Sequence, residues 1–429
     1  MFAIIIGLIV IALVVTLLLK GYYPQAILFM GGVVLLTCTA IFGWGDLLNA
    51  KQTTNFIGFD IFKVFSTGFS SRIAGLGLTL MAIGGFSRYM EHVGASAALF
   101  SVFEKPLKLI KSPYVLLGAS FLVSQIMVIF VPSHAGLALL LMVTLYPILI
   151  RSGVSPMSAL GVIGCAQFVD VGPGSGNAIL AAQTAGVDVS EYFVYYQLPL
   201  FVGVVIILTF VHMFVQRWWD KREGWVFDPN NIQTLAGAKT TEQDKKVPKI
   251  YAVLPIIAII FELIRLRNFR DVLASFKLFF EGMGKILVSV VSLIVCGEFF
   301  AAGLIKSGFM GTLITAANDA GFGLAAMVII GGALVWLFSF IMGSGNAAFF
   351  SFAPLLPNVA HVIGVPIIQL IFPLQVILGF GRASSPITGA IVAISGLAGV
   401  SPFQVAKRTF IPMLFGTAIT YIAYFLFWY

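Results

Sequence analysis

The chain has 429 residues, of which 59% are hydrophobic and 10% charged, with a mean hydropathy of +1.03. Soluble domains carry about 25% charged residues, so an ordinary water-soluble protein is excluded. An all-α polytopic membrane protein is expected, because helices satisfy their own backbone in lipid. The net charge of +8 falls mainly between apolar runs, which is the loop bias of a membrane protein and not a nucleic-acid-binding patch.

Runs long enough to cross a ~30 Å hydrocarbon core fall near 2–19, 23–43, 74–90, 157–187, 194–215, 283–304, 366–398 and 409–428, with a shorter run at 250–264. The first lacks a basic leader and a small-residue cleavage site before Lys20, so it predicts a retained span and not a signal peptide. Residues 100–112, FSVFEKPLKLIKS, predict a basic interfacial arm. Residues 216–249, from QRWWDKREGW to EQDKKVPK, form the one long polar stretch and predict a cytoplasmic linker. Counting crossings back from it puts the N-terminus in the periplasm of a bacterial inner membrane. Cys38, Cys165 and Cys296 all lie in apolar segments and have no metal-ligand spacing. They predict small buried hydrophobes.

The flanks of the linker repeat each other. FKVFSTG at 62–68 matches FKLFFEG at 276–282, 214 residues on. PSHAG at 132–136 lines up with GSGNA at 343–347, and GPGSGNAILAAQTAGV at 172–187 with SPITGAIVAISGLAGV at 385–400, at offsets of 211 and 213. A first membrane repeat at 1–215 and a second at 250–429 follow. The second is short. Basic residues at Lys249 and at Arg265 to Lys277 call for an even number of crossings between them, yet 251–264 is too short for two. About one span's worth of sequence is therefore expected to be absent near 256–264.

Four polar breaks interrupt the apolar runs, at 131–136, 170–177, 343–346 and 381–389. Non-helical backbone survives in hydrocarbon only where it lines a cavity or is buried in protein. The flank lengths predict re-entrant hairpins at about 115–151 and 325–363, and discontinuous helices at about 157–187 and 366–398. Such breaks in two related halves point to the binding site of a secondary transporter. Helix N-termini at the breaks suit an anion, and exposed carbonyls suit a cation. For a single break, a packing device is an equal alternative.

Arg382 lies deep in a span, where a guanidinium costs ~2.5 kcal/mol or more unless paired or hydrated. It matches a carboxylate bidentately; the alternative is a structural ion pair with Glu298 or Asp170. Asp170 is read as a Na⁺ ligand, a proton carrier or a helix cap. His134 is either a proton carrier or a neutral hydrogen-bonding group. Ser133, Ser175, Asn177, Ser344, Asn346, Ser384, Ser385 and Thr388 supply hydroxyls and amides for a carboxylate or Na⁺, with Asp170, Asn177, Asn346 and Ser385 as the cation set. Na⁺ or H⁺ is the expected coupling ion, with no cofactor.

TLYPILIRSGVS, GSGNAAFFSF and GRASSPITGAIVAISGLAGVSPFQVAKRTFIPML resemble the anaerobic C4-dicarboxylate carrier family of the DcuC type, within the wider ion-transporter superfamily; KGYYPQAILFMGG and SPYVLLGASF add support. The resemblance implies two inverted repeats in an elevator carrier, a transport domain sliding against a scaffold domain, often in a homodimer. It implies succinate, fumarate, malate and related dianions as substrates. By motif it places Ser344, Gly345, Asn346, Ser385, Pro386 and Gly389 at the site, with Ser133, Ser175, Gly176 and Asn177 from the first half. It assigns no role to His134, Asp170 or Glu298. The rivals are a Na⁺- or H⁺-coupled permease for a monocarboxylate or amino acid, an ion channel, and an intramembrane enzyme. The last is disfavoured, because Asp170, Glu298 and His134 have no recognised catalytic spacing.

Overall fold

The computed structural model describes residues 2–20, 22–49, 52–92, 95–131, 133–228, 269–309, 312 and 323–429. The apolar run at 250–264, the shortfall expected near 256–264 and the linker beyond residue 228 lie outside them. Among the described residues all regular structure is helical, and eight helices are long and apolar enough to cross a membrane.

Helices α1 (Phe2–Leu19) and α2 (Pro24–Phe42) pack together, and α3 (Ile57–Arg72) runs through a π-turn at Ile73–Gly77 into α4 (Leu78–His92). The run expected to cross at 74–90 is thus one part of a longer helix, which is not among the eight. Its N-terminal half was not read as a span because FKVFSTGFSSR mixes polar with aromatic residues. Helix α5 (Ala95–Lys108) occupies the basic arm and carries a Glu104–Lys108 pair at 2.6 Å.

Helices α6 (Pro113–Phe130), α7 (His134–Thr144) and α8 (Tyr146–Arg151) follow, with α7 starting just after its Ser133 cap. Helix α9 (Pro156–Gly164) stops well before α10 (Gly176–Ala185) begins, leaving an irregular buried stretch between them. Gly172 adopts φ +97° there, which a side chain would resist. Helix α11 (Val189–Glu191) leads through a π-turn into α12 (Leu198–Arg222). That helix extends seven residues into the stretch read as linker. Gln216 and Asp220 are buried on it because Arg408 pairs with both.

The second half begins with α13 (Phe269–Ile286), a π-turn at Leu287–Val291 and α14 (Ser292–Lys306). The π-turn recurs 214 residues after the first, the same offset that relates the FK…G motifs. Helix α4 packs on α13 and α3 on α14, so the two long helices cross antiparallel with their π-turns facing. Gly77 makes the close approach possible: a Cβ there would sit 3.0 Å from Val291.

Helices α15 (Leu324–Met342), α16 (Gly345–Phe352) and α17 (Leu356–Ile363) then parallel α6–α8 in order, and α18 (Ile367–Ser384) breaks before α19 (Gly389–Ala398). Gly343, at φ +62°, ends α15 in the left-handed conformation that favours glycine. Helix α20 (Pro402–Phe427) starts seven residues earlier than the run at 409–428, because a Ser401–Gln404 capping box fixes its first turn.

Two groups of helices emerge. One comprises α1–α4, α13 and α14; the other comprises α6–α10, α12 and α15–α20. They meet chiefly where α14 faces α16. There Gly297 lets the backbones approach, since a Cβ would lie 2.6 Å from the Phe350 carbonyl oxygen.

Candidate functional site

The site is built from the ends of broken helices. Ser133, Ser175 and Ser344 each sit one residue before a helix, and each hydroxyl accepts a backbone N–H bond, from Gly136 (3.2 Å), Ala178 (3.3 Å) and Ala347 (3.2 Å). This is N-capping. It uses the serine oxygen but leaves the other N–H groups of each first turn free. Thr388 precedes α19 and does something different. Its hydroxyl donates 3.0 Å to the Gly343 carbonyl, tying the turn between α15 and α16 to the break between α18 and α19.

Asn177 and Asn346 are each the second residue of their helix, α10 and α16. Their side chains meet, with Asn177 Nδ2 donating 2.8 Å to Asn346 Oδ1. One comes from each half of the chain, 169 residues apart. Asn177 Nδ2 also donates to Asp170 Oδ2. Asp170 in turn receives the fork of Arg382, with Nη1 at 2.9 Å from Oδ2 and Nη2 at 3.0 Å from Oδ1. Both side chains are buried, 8% and 7% exposed. Arg382 Nη2 further donates to the Gln167 carbonyl at 2.8 Å, and Gln167 Nε2 donates to Asp170 at 3.0 Å. Arg382 Nε has no partner among the described residues.

The pairing corrects one expectation. Glu298 does not neutralise Arg382; it lies in the other helix group against Arg72, whose Nε is 2.7 Å from Oε1. Of the two acids weighed for Arg382, Asp170 is the partner because the break after α9 brings it beneath α18. Gly379 allows that approach, since a Cβ there would collide with the Phe168 carbonyl.

The remaining candidates divide. His134 opens α7, bonded to the backbone at Gly164, with Nε2 buried and unpartnered among the described residues. Gly176, Gly345 and Gly389 are the first residues of α10, α16 and α19. The Ser385 hydroxyl accepts from Ile387 N at 3.3 Å in the break, next to half-buried Pro386. Ser384 points away: its hydroxyl donates 2.8 Å back to the Phe380 carbonyl inside α18. Among the described residues no cluster of His, Cys, Asp or Glu could hold a metal ion.

Three residues of the site carry no charge and gave no sequence signal. Gln375 and Gln197 donate to the Asp170 carbonyl at 3.0 and 3.2 Å, Gln197 Oε1 accepts from Gly172 N at 3.1 Å, and Tyr192 donates to Gln375 at 3.1 Å. They hold the 165–175 stretch in place, where unpaired carbonyls would be costly in a dry interior. Two helix N-termini, each worth roughly half a positive charge, thus face a neutral Arg–Asp pair and two amides. The arrangement suits a carboxylate.

The C4-dicarboxylate anaerobic carrier (DcuC) family model matches residues 2–260 and 247–429. The chain belongs to this family. The Escherichia coli K12 anaerobic C4-dicarboxylate transporter DcuC is 32% identical over 449 aligned positions, covering 97% of this chain and 95% of the relative. The probable counterpart in Vibrio cholerae is also 32% identical, covering 97% and 96%. The alignment with the E. coli protein is longer than this 429-residue chain, so it opens gaps on this side. Among solved structures, the Alcanivorax borkumensis YdaH transporter superposes with a TM-score of 0.61 at 13% identity, covering 95% of this chain and 99% of its own. Neisseria gonorrhoeae MtrF, described as illuminating a class of antimetabolite efflux pumps, gives 0.60 at 13% identity, covering 95% of each chain. These two likenesses concern the fold.

Proposed function

We propose that this family member is a secondary active transporter of C4-dicarboxylates of the succinate, fumarate and malate kind, coupled to Na⁺ or H⁺ and working by an elevator motion. The observation that carries the reading is the contact of Asn177 with Asn346 at 2.8 Å beside Arg382. Helix starts from both halves of the chain converge there on one anion-suited spot. The names of the E. coli and V. cholerae relatives supply the substrate class.

The antiparallel crossing of the two π-turned helices supports inverted repeats. Contacts across it come in pairs related by the 214-residue offset: Phe65 with Phe299, ring centroids 5.3 Å apart, and Gly85 with Phe279. The two helix groups support a scaffold of α1–α4, α13 and α14 with the remainder as the moving body. A homodimer, an inner-membrane location and a periplasmic N-terminus complete the proposal.

Charge decides how coupling works. Moving one charge through 100 mV is worth about 2.3 kcal/mol, so a dianion entering against an inside-negative potential costs roughly twice that. Two cations cancel this cost and a third drives net uptake. Helix N-termini contribute only ~0.3–2 kcal/mol each, so Arg382 must take part. Its fork is already filled by Asp170. A substrate carboxylate gains that fork when a coupling cation neutralises Asp170. Asp170 is therefore the coupling group, with Asn177, Asn346 and Ser385 completing a cation site if the ion is Na⁺.

The test is labelled succinate exchange in proteoliposomes, run with a Na⁺ gradient or a proton gradient alone, against a panel of mono- and dicarboxylates. Counterflow restricted to C4-dicarboxylates is expected. Preference for a monocarboxylate or amino acid overturns the substrate assignment, and flux without counterflow overturns the carrier mechanism in favour of a channel.

A further inference from the structure

Several contacts at the crossing of the two long helices recur at the 214-residue offset, and one position that does not recur carries charge. Shifting by 214 residues turns Arg72 into Ile286 and Glu298 into Gly84. On one side of the crossing Ile286 lies against Gly84, an apolar seal. On the other side the equivalent contact is the Arg72–Glu298 ion pair at 2.7 Å. Only Arg72 Nε serves that pair. Its Nη1 and Nη2 groups have no hydrogen-bond partner among the described residues, and the side chain is 38% exposed while Glu298 is 19% exposed.

A guanidinium near the middle of the helix that runs from Ile57 through the π-turn to His92, with its fork unfilled, is unfavourable facing hydrocarbon and favourable facing a wet path. The position fits a path. A methyl placed on Gly176, next to Asn177, would lie 3.4 Å from Leu80 and 3.8 Å from Val290 on the same two helices. Arg72 precedes Leu80 by eight residues, about 12 Å along the helix. Gly297, beside Glu298, faces Phe350 and Ser351 just beyond the Asn346 turn.

We infer that Arg72 is a second carboxylate-docking site, fixed on the crossing helices and reached from the side on which α3 begins at Ile57, where a dicarboxylate pauses before engaging Arg382. Glu298 holds the guanidinium by Nε, leaves the Nη fork open and offsets its charge, so the anion is caught loosely and released. The inference rests on the carrier reading above.

The test is succinate exchange measured separately in right-side-out and inverted vesicles, with melting temperature followed in parallel. Arg72→Gln is expected to raise KM about tenfold, the loss of one charge-assisted hydrogen bond, from one face only, with maximal rate and melting temperature unchanged. Arg72→Lys, which keeps the charge but not the fork, is expected to fall between. Glu298→Gln leaves Arg72 in place without its competitor and is expected to lower KM from that same face. Equal changes at both faces, or a Glu298→Gln effect that parallels Arg72→Gln in rate and melting, would mean a purely structural pair, and no change would mean no part in docking; each overturns the inference. Wild-type vesicles that exchange no succinate overturn the carrier reading and this inference with it. Wild-type exchange with a symmetric Arg72 effect overturns this inference alone.

Discussion

Arg382 and Asp170 hold each other through two hydrogen bonds of 2.9 and 3.0 Å at 8% and 7% exposure, so the two single substitutions and the double one separate folding from transport. Asp170→Asn leaves the guanidinium buried without a counter-charge, and because Asn keeps only one acceptor oxygen, either Asn177 or Gln167 loses its partner. Breaking a buried pair by removing one partner costs about 3–5 kcal/mol. Asp170→Asn belongs at the upper end of that range because one of these donors then faces an NH2 group instead of an oxygen. Arg382→Gln costs less, since Asp170 keeps its bonds from Asn177 and Gln167. The double variant removes both charges, and a neutral pair in a buried site is expected to recover most of the loss, giving a coupling of at least ~2 kcal/mol. Transport is expected to behave differently: no variant lacking Arg382 exchanges dicarboxylate, including the restored double variant. Denaturant titration in mild detergent reads the first quantity and labelled-succinate counterflow the second. A double variant that recovers transport along with stability would refute the reasoning, because the arginine would then be serving structure alone.

Thr388→Val removes the hydroxyl that ties the α18–α19 break to the Gly343 carbonyl. It is expected to cost about 0.5–1.5 kcal/mol and to slow exchange more than it destabilises, read as a large fall in maximal rate against a small downward shift of the melting curve. Gly379→Ala forces a methyl into the Phe168 carbonyl and is expected to lose 1–3 kcal/mol or more, seen as poor recovery of folded protein. Arg408 joins α20 to α12 through Asp220 at 2.9 Å and Glu223 at 2.6 Å, at 2% exposure. Arg408→Ala is expected to cost about 3–5 kcal/mol in the same denaturant titration, while Glu223→Gln, at a 41% exposed partner, costs under 1 kcal/mol.

How far the sequence carried depends on what kind of signal each residue gave. Breaks such as GSGN stood out because glycine, serine and asparagine are conspicuous among apolar neighbours, and Arg382 because a charge in a span has few explanations. The partner of Arg382 was not legible. Asp170 and Glu298 looked equivalent along the chain, and only the antiparallel crossing commits Glu298 to Arg72. Gln197 and Gln375 passed unnoticed, since a neutral amide in a long apolar helix leaves hydropathy almost unchanged while supplying the donors that fix a buried loop. Asp220 and Arg408 looked like loop charges, because a charged end of a helix cannot be told from a linker until its partner on another helix is known. The 214-residue offset was visible in FKVFSTG and FKLFFEG. What it meant in space, two π-turns facing each other, was not, since a π-turn has no sequence signature comparable to a cap or a proline.

Thiol protection at residues 177 and 346 tests the convergence of the two halves most directly. With Cys38 replaced by serine, Asn177→Cys and Asn346→Cys are labelled by a small maleimide in the presence and absence of succinate. Slower labelling at both positions, with a common half-saturating succinate concentration, is the predicted result. Protection at one position only, or at neither in protein that still exchanges succinate, would contradict a shared binding site.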